Sequence, residues 1–176
     1  MEEGTLAREI DDIAKRKKYK QNQYGDRKSR KDDYTGERVF SGNTEKAIKK
    51  HPIDKISDTD HVTPIKVVQS RYKGLTDDQQ RIIAKSEHNY AITKSKLNRS
   101  KGGLENRENP GFKTSAKMLE KEAESRIAMR VQATAMYTEN VVHKISDTDF
   151  AMKAKGINQA GKEEAVNSAI FASALS

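Results

Sequence analysis

The chain has 176 residues, of which 34% are hydrophobic and 34% charged, and it contains neither cysteine nor tryptophan. So polar a composition predicts one small core with solvated extensions, because a short chain buries a modest share of its surface. The absence of cysteine excludes a disulfide, a thiolate nucleophile and a cysteine-ligated zinc. No stretch approaches the roughly 18 apolar residues of a membrane span, and the N-terminus lacks a secretory signal. We therefore expect a cytoplasmic, intracellular protein with no membrane partner.

The net charge of +8 is concentrated near the N-terminus. Residues 15–31 hold nine basic residues and one acidic residue, so this segment alone accounts for the whole net charge. Leu6, Ile10 and Ile13 precede it at the spacing of a short amphipathic helix. We interpret residues 1–32 as a basic arm, helical or disordered. Its clustered cations make it a candidate nucleic-acid contact, with a solvated arm as the alternative; the four candidate residues are Lys15, Arg16, Lys17 and Lys18.

Residues 33–104 alternate between strand and helix signals. Gly36 suggests a tight turn between two short strands, Thr76 a helix N-cap, and Gly102-Gly103 the end of a helix. In chain order we predict a hairpin at 33–40, a short helix at 44–50, a strand at 55–62, a loop at 66–75, a helix at 76–87, a strand at 89–93 and a helix at 94–101.

Residues 105–176 read as a helical extension. Leu119, Ala123, Ile127, Val131 and Ala135 recur every four residues, which predicts a long helix over about 115–137 that packs through this stripe. A further apolar helical face begins after residue 156 and continues to the last residue. An unfinished apolar face leaves an oligomer or a larger complex open as the working state.

One hexapeptide occurs twice. Residues 55–60 and residues 144–149 both read Lys-Ile-Ser-Asp-Thr-Asp. The first copy is followed by His61 and the second by Phe150, so the second cannot repeat any chemistry that depends on the histidine.

The pair Asp60-His61 stands at the end of a predicted strand and has residue types suited to phosphodiester hydrolysis. That reaction needs an activated water and a charge sink on the scissile phosphate. A neutral histidine can take a proton from water, and a neighbouring carboxylate can hold a divalent metal. A second oxygen ligand must come from another element, and the amide of an asparagine on a facing helix can provide it.

Three segments together form a recognisable pattern: Asp60-His61-Val-Thr-Pro64, Asn89-Tyr-Ala-Ile-Thr93 and Asn98-Arg-Ser-Lys101-Gly102. Their order and residue types resemble the HNH, or ββα-metal, endonuclease family, and are particularly similar to the HNH domain of RNA-guided CRISPR nucleases. The resemblance covers about residues 33–103. It implies an α+β protein with a small ββα-metal core at 33–104 and mainly helical N- and C-terminal extensions.

The resemblance also implies roles for individual residues. His61 would be the general base, Asp60 and Asn98 the metal ligands, and Asn89 the residue that holds the loop and orients His61. Lys94, Arg99 and Lys101 would meet the DNA backbone. The cysteine pairs that bind structural zinc in many family members are absent, and the connection between Asp60 and Asn89 is long.

The hard oxygen ligands Asp60 and Asn98 favour Mg²⁺, with Mn²⁺ as a substitute. We therefore predict a metal-dependent DNA endonuclease, bacterial or phage-encoded, acting on DNA taken as double-stranded. The alternative is a non-catalytic nucleic-acid-binding or structural protein with a nuclease-like scaffold, and RNA remains open as a substrate.

Overall fold

The computed structural model describes residues 3–42, 49, 51, 53–105 and 115–155. These residues form an α+β structure with five α-helices and two antiparallel two-stranded sheets. No helix in this part of the chain is long and apolar enough to cross a membrane. The predicted helix at 44–50 and the apolar face after residue 156 lie outside the described residues, except for residue 49.

The first helix, α1, is longer than the sequence predicted. It runs without interruption over Glu3–Tyr24, so the first half of the basic segment is helical. Tyr19, Lys20 and Tyr24 are buried against the strands, and this packing holds the basic segment in a helix that charge alone would not favour. Gly25, with a φ of 51°, ends α1.

The first sheet is a hairpin of β1 (Ser29–Lys31) and β2 (Arg38–Phe40), in which Ser29 pairs with Phe40. The prediction placed both strands within 33–40, which is wrong for the first of them. The turn begins earlier, because the Asp32 carboxylate accepts hydrogen bonds from the backbone N–H groups of Tyr34 and Thr35, at 2.7 and 3.0 Å.

The second sheet is followed directly by a helix. Strands β3 (Ser57–His61) and β4 (Tyr90–Lys94) are antiparallel, with His61 opposite Tyr90 and Ser57 opposite Lys94. Helix α4 (Ser95–Lys101) begins where β4 ends, packs on both strands, and stops at Gly102. The predictions of two strands and a helix here are confirmed.

The connection between β3 and β4 contains two helices, where one was predicted. Helix α3 (Asp77–Ala84) begins as predicted at Thr76, whose side chain and that of Gln79 form a reciprocal cap. The loop prediction for 66–75 is wrong, because residues Ile65–Arg71 form helix α2. Pro64 precedes its first turn, and Val68 is buried against α3.

Helix α5 (Ala116–Lys155) is longer than predicted and packs through a different face. Leu119, Ile127 and Val131 are 49%, 67% and 65% exposed, so the prediction of the packing stripe is wrong. The buried line is Met118, Glu122, Ser125, Met129 and Ala133. Two of these five residues are polar and make hydrogen bonds or ion pairs inside the protein, which is why apolar spacing did not reveal this face.

Strand β4 separates two apolar clusters. Tyr90 and Ile92 face Tyr19, Tyr24 and Val39 on one side. On the other side, the cluster contains Ala91, Tyr34, Val62 and Met118. The alternation follows from the two-residue period of a strand. A third cluster joins α2, α3 and α5 around Val68, Ile83 and Met129.

Adjacent isoleucines in α3 provide a matched test of this third cluster. Ile83 is fully buried and Ile82 is 56% exposed. We predict that Ile83→Ala lowers the free energy of unfolding by about 2–4 kcal/mol, because the truncation leaves a cavity. Ile82→Ala should change it by less than about 0.5 kcal/mol. Urea denaturation measures both, and equal losses would contradict the assignment of this core.

Candidate active site

The Asp60 carboxylate is buried near the end of β3. The Tyr34 hydroxyl donates a hydrogen bond to its Oδ2 at 2.6 Å, and the Lys101 ammonium contacts the same oxygen at 2.8 Å. The ammonium also donates to the backbone carbonyl of His61 at 2.6 Å. Lys101, on the last turn of α4, thereby ties the helix to the Asp60-His61 pair, while both carboxylate contacts converge on Oδ2.

Burial dominates the ionisation of Asp60. Removal of the carboxylate from water raises its pKa, and the contacts with Lys101 and Tyr34 oppose this increase without cancelling it. A buried carboxylate in this situation depends on a cation at close range. Lys101, itself fully buried, supplies one.

His61 contacts a carboxylate from α1 that the sequence did not associate with it. Its Nε2 lies 3.0 Å from Oδ1 of Asp12. Oδ2 of Asp12 pairs with Arg16 one turn further along α1, also at 3.0 Å. Burial of Asp12 alone would raise its pKa, but the hydrogen bond with His61 and the positive charges of His61 and Arg16 outweigh that effect and lower the pKa. Asp12 is therefore an ionised acceptor, which means that Nε2 of His61 carries the shared proton.

Asn89 lies just before β4, is fully buried, and uses both ends of its amide. Its Nδ2 donates to the carbonyls of Thr63 and Ala84, each at 2.8 Å. Its Oδ1 accepts from the backbone N–H of Thr63 at 2.8 Å and from the Ser125 hydroxyl at 2.9 Å. One side chain thus fixes the loop that follows His61 to α3 and α5.

Asn98 lines a groove between α1 and α4, hereafter the α1–α4 groove, with a volume of about 270 Å³. Arg16, Lys17 and Lys20 face it from α1, and Asp58 and Thr59 from β3. The structure therefore brings two of the four candidate residues of the basic arm to the same groove as Asn98. It directs the Asp60 carboxylate toward Tyr34 and Lys101 in the interior.

The other basic candidates occupy different environments. Lys101 is buried with Asp60, and half-buried Lys94 pairs with Glu37. Arg99 is exposed, as are Lys18 and Lys15, although Lys15 pairs with Asp11 at 3.2 Å. Among the candidates on α4 and at its start, Arg99 is the one whose side chain is presented to solvent.

The proposed ligands Asp60 and Asn98 both have oxygen donors, which are the ligand atoms that a hard cation prefers. Asp60 has a carboxylate and Asn98 an amide oxygen, but Asp60 is 4% exposed and is not among the residues that line the α1–α4 groove with Asn98. One or two protein oxygens with water and phosphate oxygens are a usual ligand set for Mg²⁺. Within the described part of the chain, no group of three or more His, Cys, Asp or Glu side chains could hold a metal ion.

Three residues with contacts at this site were missed from the sequence. Asp12 contacts His61, Tyr34 contacts Asp60, and Asp58 lines the α1–α4 groove together with Asn98. Asp58 carried a readable signal, because it is two residues from Asp60 and shares its face of the strand. Asp12 carried none, since its partner is 49 residues away.

Compared with protein-family models, curated proteins and solved structures, the chain matches none of them.

A double mutation can test whether the buried ion pair of Asp60 and Lys101 stabilises the fold. We predict that Lys101→Met lowers the free energy of unfolding by about 3–5 kcal/mol at pH 7, because it leaves a buried carboxylate without a cation. The double variant Asp60→Asn/Lys101→Met should recover most of that loss. Lys96→Met, at an exposed position of the same helix, is the control. Chemical denaturation measures all three, and a Lys101→Met loss no larger than the control's would contradict the pairing.

The lowered pKa of Asp12 predicts a pH dependence of stability. A carboxylate with a pKa lower in the folded than in the unfolded chain stabilises the fold above about pH 4, and this contribution is lost as the pH falls below that value. We predict that Asp12→Asn lowers the free energy of unfolding by about 1–2 kcal/mol at pH 7, and that the difference from wild type shrinks at pH 3.

The control is Asp78→Asn, since the Asp78 side chain is 80% exposed and contacts Arg8 at 3.3 Å. An exposed pair of this kind contributes no more than about 1 kcal/mol, so the control should change stability little. A difference between wild type and Asp12→Asn that stays constant from pH 7 to pH 3 would exclude an ionised Asp12 as the stabilising group.

Proposed function

We propose that the protein is a metal-dependent DNA endonuclease whose core, residues 33–104, is of the ββα-metal (HNH) type. The observation that carries the proposal is the succession of β3, β4 and α4, with Asp60-His61 at the end of the first strand and Asn98 on the helix. This order agrees with the motif resemblance, in which the first segment supplies one ligand and the base, the second the residue that orients the base, and the third the other ligand.

His61 is the proposed general base. Because ionised Asp12 can only accept a hydrogen bond, Nε2 of His61 carries the proton between them, and in the neutral imidazole the lone pair is on Nδ1. Nδ1 is then the atom that takes the proton from the attacking water. Asp12 acts as a positioning residue, since it fixes the tautomer and the ring orientation, as a third group does in other activated pairs.

Asn89 supports this geometry from behind the site. Its four hydrogen bonds hold the Thr63 loop, and its backbone carbonyl accepts from the N–H of Val62 at 2.8 Å. Val62 is the residue next to His61, so the path of the chain on that side of the base is fixed. Proton transfer by a positioned side chain requires such a fixed approach.

Asp60 and Asn98 are the proposed ligands of Mg²⁺, with Mn²⁺ as a substitute. When bound, the cation would stabilise negative charge on the scissile phosphate and on the departing 3′ oxygen. Asp60 would then be shared between the cation and Lys101, whose ammonium contacts Oδ2. DNA contacts are assigned to Arg99 and to the α1 residues Arg16 and Lys17.

A non-catalytic nucleic-acid-binding protein is the second candidate. Two observations favour it: the Lys101 ammonium already compensates the charge of Asp60, and Asp12 occupies one nitrogen of His61. A protein of this kind would bind DNA with a steep salt dependence and would not cut it.

Cleavage of supercoiled plasmid DNA separates the two candidates. We predict nicking or linearisation with Mg²⁺ and none with EDTA, and a loss of at least about 100-fold in rate for His61→Ala because the base is removed. Asn98→Ala should shift the Mg²⁺ dependence to higher concentration. Rates are measured by gel quantification.

The matched control is His88→Ala, which removes an exposed histidine one residue before Asn89. It should cut at the wild-type rate. Equal cleavage rates for wild type and His61→Ala would contradict the assignment of His61 as the general base. DNA binding without cleavage in either Mg²⁺ or Mn²⁺ would favour the non-catalytic protein.

A further inference from the structure

A second groove lies between the end of α1, the β1–β2 hairpin and the first turn of α5. It has a volume of about 650 Å³ and is lined by polar side chains and one glycine. We refer to it as the hairpin groove. Five of its lining residues are basic and come from four different elements or their flanking turns: Arg27, Arg30, Lys31, Arg38 and Lys117.

The two acidic residues of the hairpin groove are engaged in structural contacts. Asp32 accepts from three backbone N–H groups, the third being that of Lys94 at 2.8 Å. Asp33 accepts from the N–H of Ile92 and pairs with Arg30, each at 2.6 Å. The two acids therefore anchor the hairpin to β4. Among the basic residues of the groove, Arg30 is the one they neutralise, through Asp33.

Arg27 donates to the backbone carbonyls of Gln23 and Tyr24, and the other three cations are held toward solvent. Lys31, Arg38 and Lys117 are exposed, and none of them pairs with an acid among the residues that the structure describes. The stem of Lys117 crosses the hairpin turn: a Cβ at Gly36, whose φ is +73°, would lie 3.0 Å from its Cε. The turn needs glycine for its backbone, and Lys117 passes close over it, which brings the ammonium to the groove.

We propose that the hairpin groove binds the phosphate backbone of duplex DNA away from the cutting site. Guanidinium and ammonium groups on a polar surface suit phosphate oxygens, and the lining residues that the structure describes include no apolar side chain that could insert into a membrane. The groove adjoins the Lys94 end of β4, and His61 lies opposite Tyr90 at its other end. Four strand residues span about 13 Å, which corresponds to about four nucleotides along one strand.

This proposal rests on the proposed function, since it takes DNA as the partner, but its test needs no cleavage. Binding of a labelled duplex oligonucleotide is measured by fluorescence anisotropy in EDTA across a series of salt concentrations. The groove variant is Lys31→Gln/Arg38→Gln/Lys117→Gln in the full chain. The control, Lys66→Gln/Lys73→Gln/Arg130→Gln, removes two exposed lysines and one exposed arginine elsewhere.

The groove variant should bind about 10- to 100-fold more weakly at about 0.1 M salt. The slope of log affinity against log salt should fall by about 2 to 3, one for each lost phosphate contact. The control should stay within about 2-fold of wild type. An unchanged slope in a groove variant that retains the wild-type unfolding midpoint would overturn the proposal.

Two further results separate the alternatives. Polyglutamate that displaces the duplex at equal charge concentration would overturn the assignment to nucleic acid, because the groove would then accept any polyanion. A chain whose binding depends on the groove but which never cuts would remove the nuclease proposal alone. A chain that cuts while the groove variant binds like wild type would remove the groove proposal alone.

Discussion

The contact between Asp60 and Lys101 is the constraint on which the centre of this protein depends. It joins β3 to the last turn of α4 in the interior, where either charge alone would be costly. Because the same ammonium also bonds the carbonyl of His61, the position of the histidine is set by the same contact. Tyr34 completes the environment from the hairpin turn. Strand, helix and hairpin therefore meet at a single carboxylate.

Helix α1 adds a second layer over this centre. Its polar face supplies Asp12 to His61, while Arg16 and Lys17 line the groove that contains Asn98. Further along, Tyr19 and Tyr24 pack against β4 and β2. A segment that looked like a solvated arm is thus part of the structure around the site. The reason is that its buried residues are Asp12, Tyr19, Lys20 and Tyr24, which give a weak apolar pattern although they make close contacts in the interior.

The sequence was a good guide where the signal is local. The N-cap at Thr76, the glycine that ends α4, and the strands around Asp60 and Asn89 all depend on neighbouring residues, and the sequence located each within a few positions. The sequence predicted buried positions poorly where burial depends on partners that are distant in the chain. The packing face of α5 contains Glu122 and Ser125, which become acceptable in the interior through Arg126 and Asn89. Asp12 and the hairpin groove likewise arise from elements that meet only in the folded chain.

The repeated hexapeptide shows the same difference between what the local sequence determines and what distant partners determine. At 55–60 the hexapeptide spans the end of a 3-10 helix and the beginning of β3. There Ser57 is hydrogen-bonded to the Tyr24 hydroxyl, and the Asp60 carboxylate accepts from the Lys101 ammonium. At 144–149 the same residues continue the helix α5. The sequence by itself determined the residue types available at the site, the caps and breaks of its helices, and the concentration of positive charge near the N-terminus. Tertiary structure decided whether this hexapeptide became strand or helix, because its own preferences are weak and β4 offers backbone partners to one copy while the preceding helical turns offer them to the other.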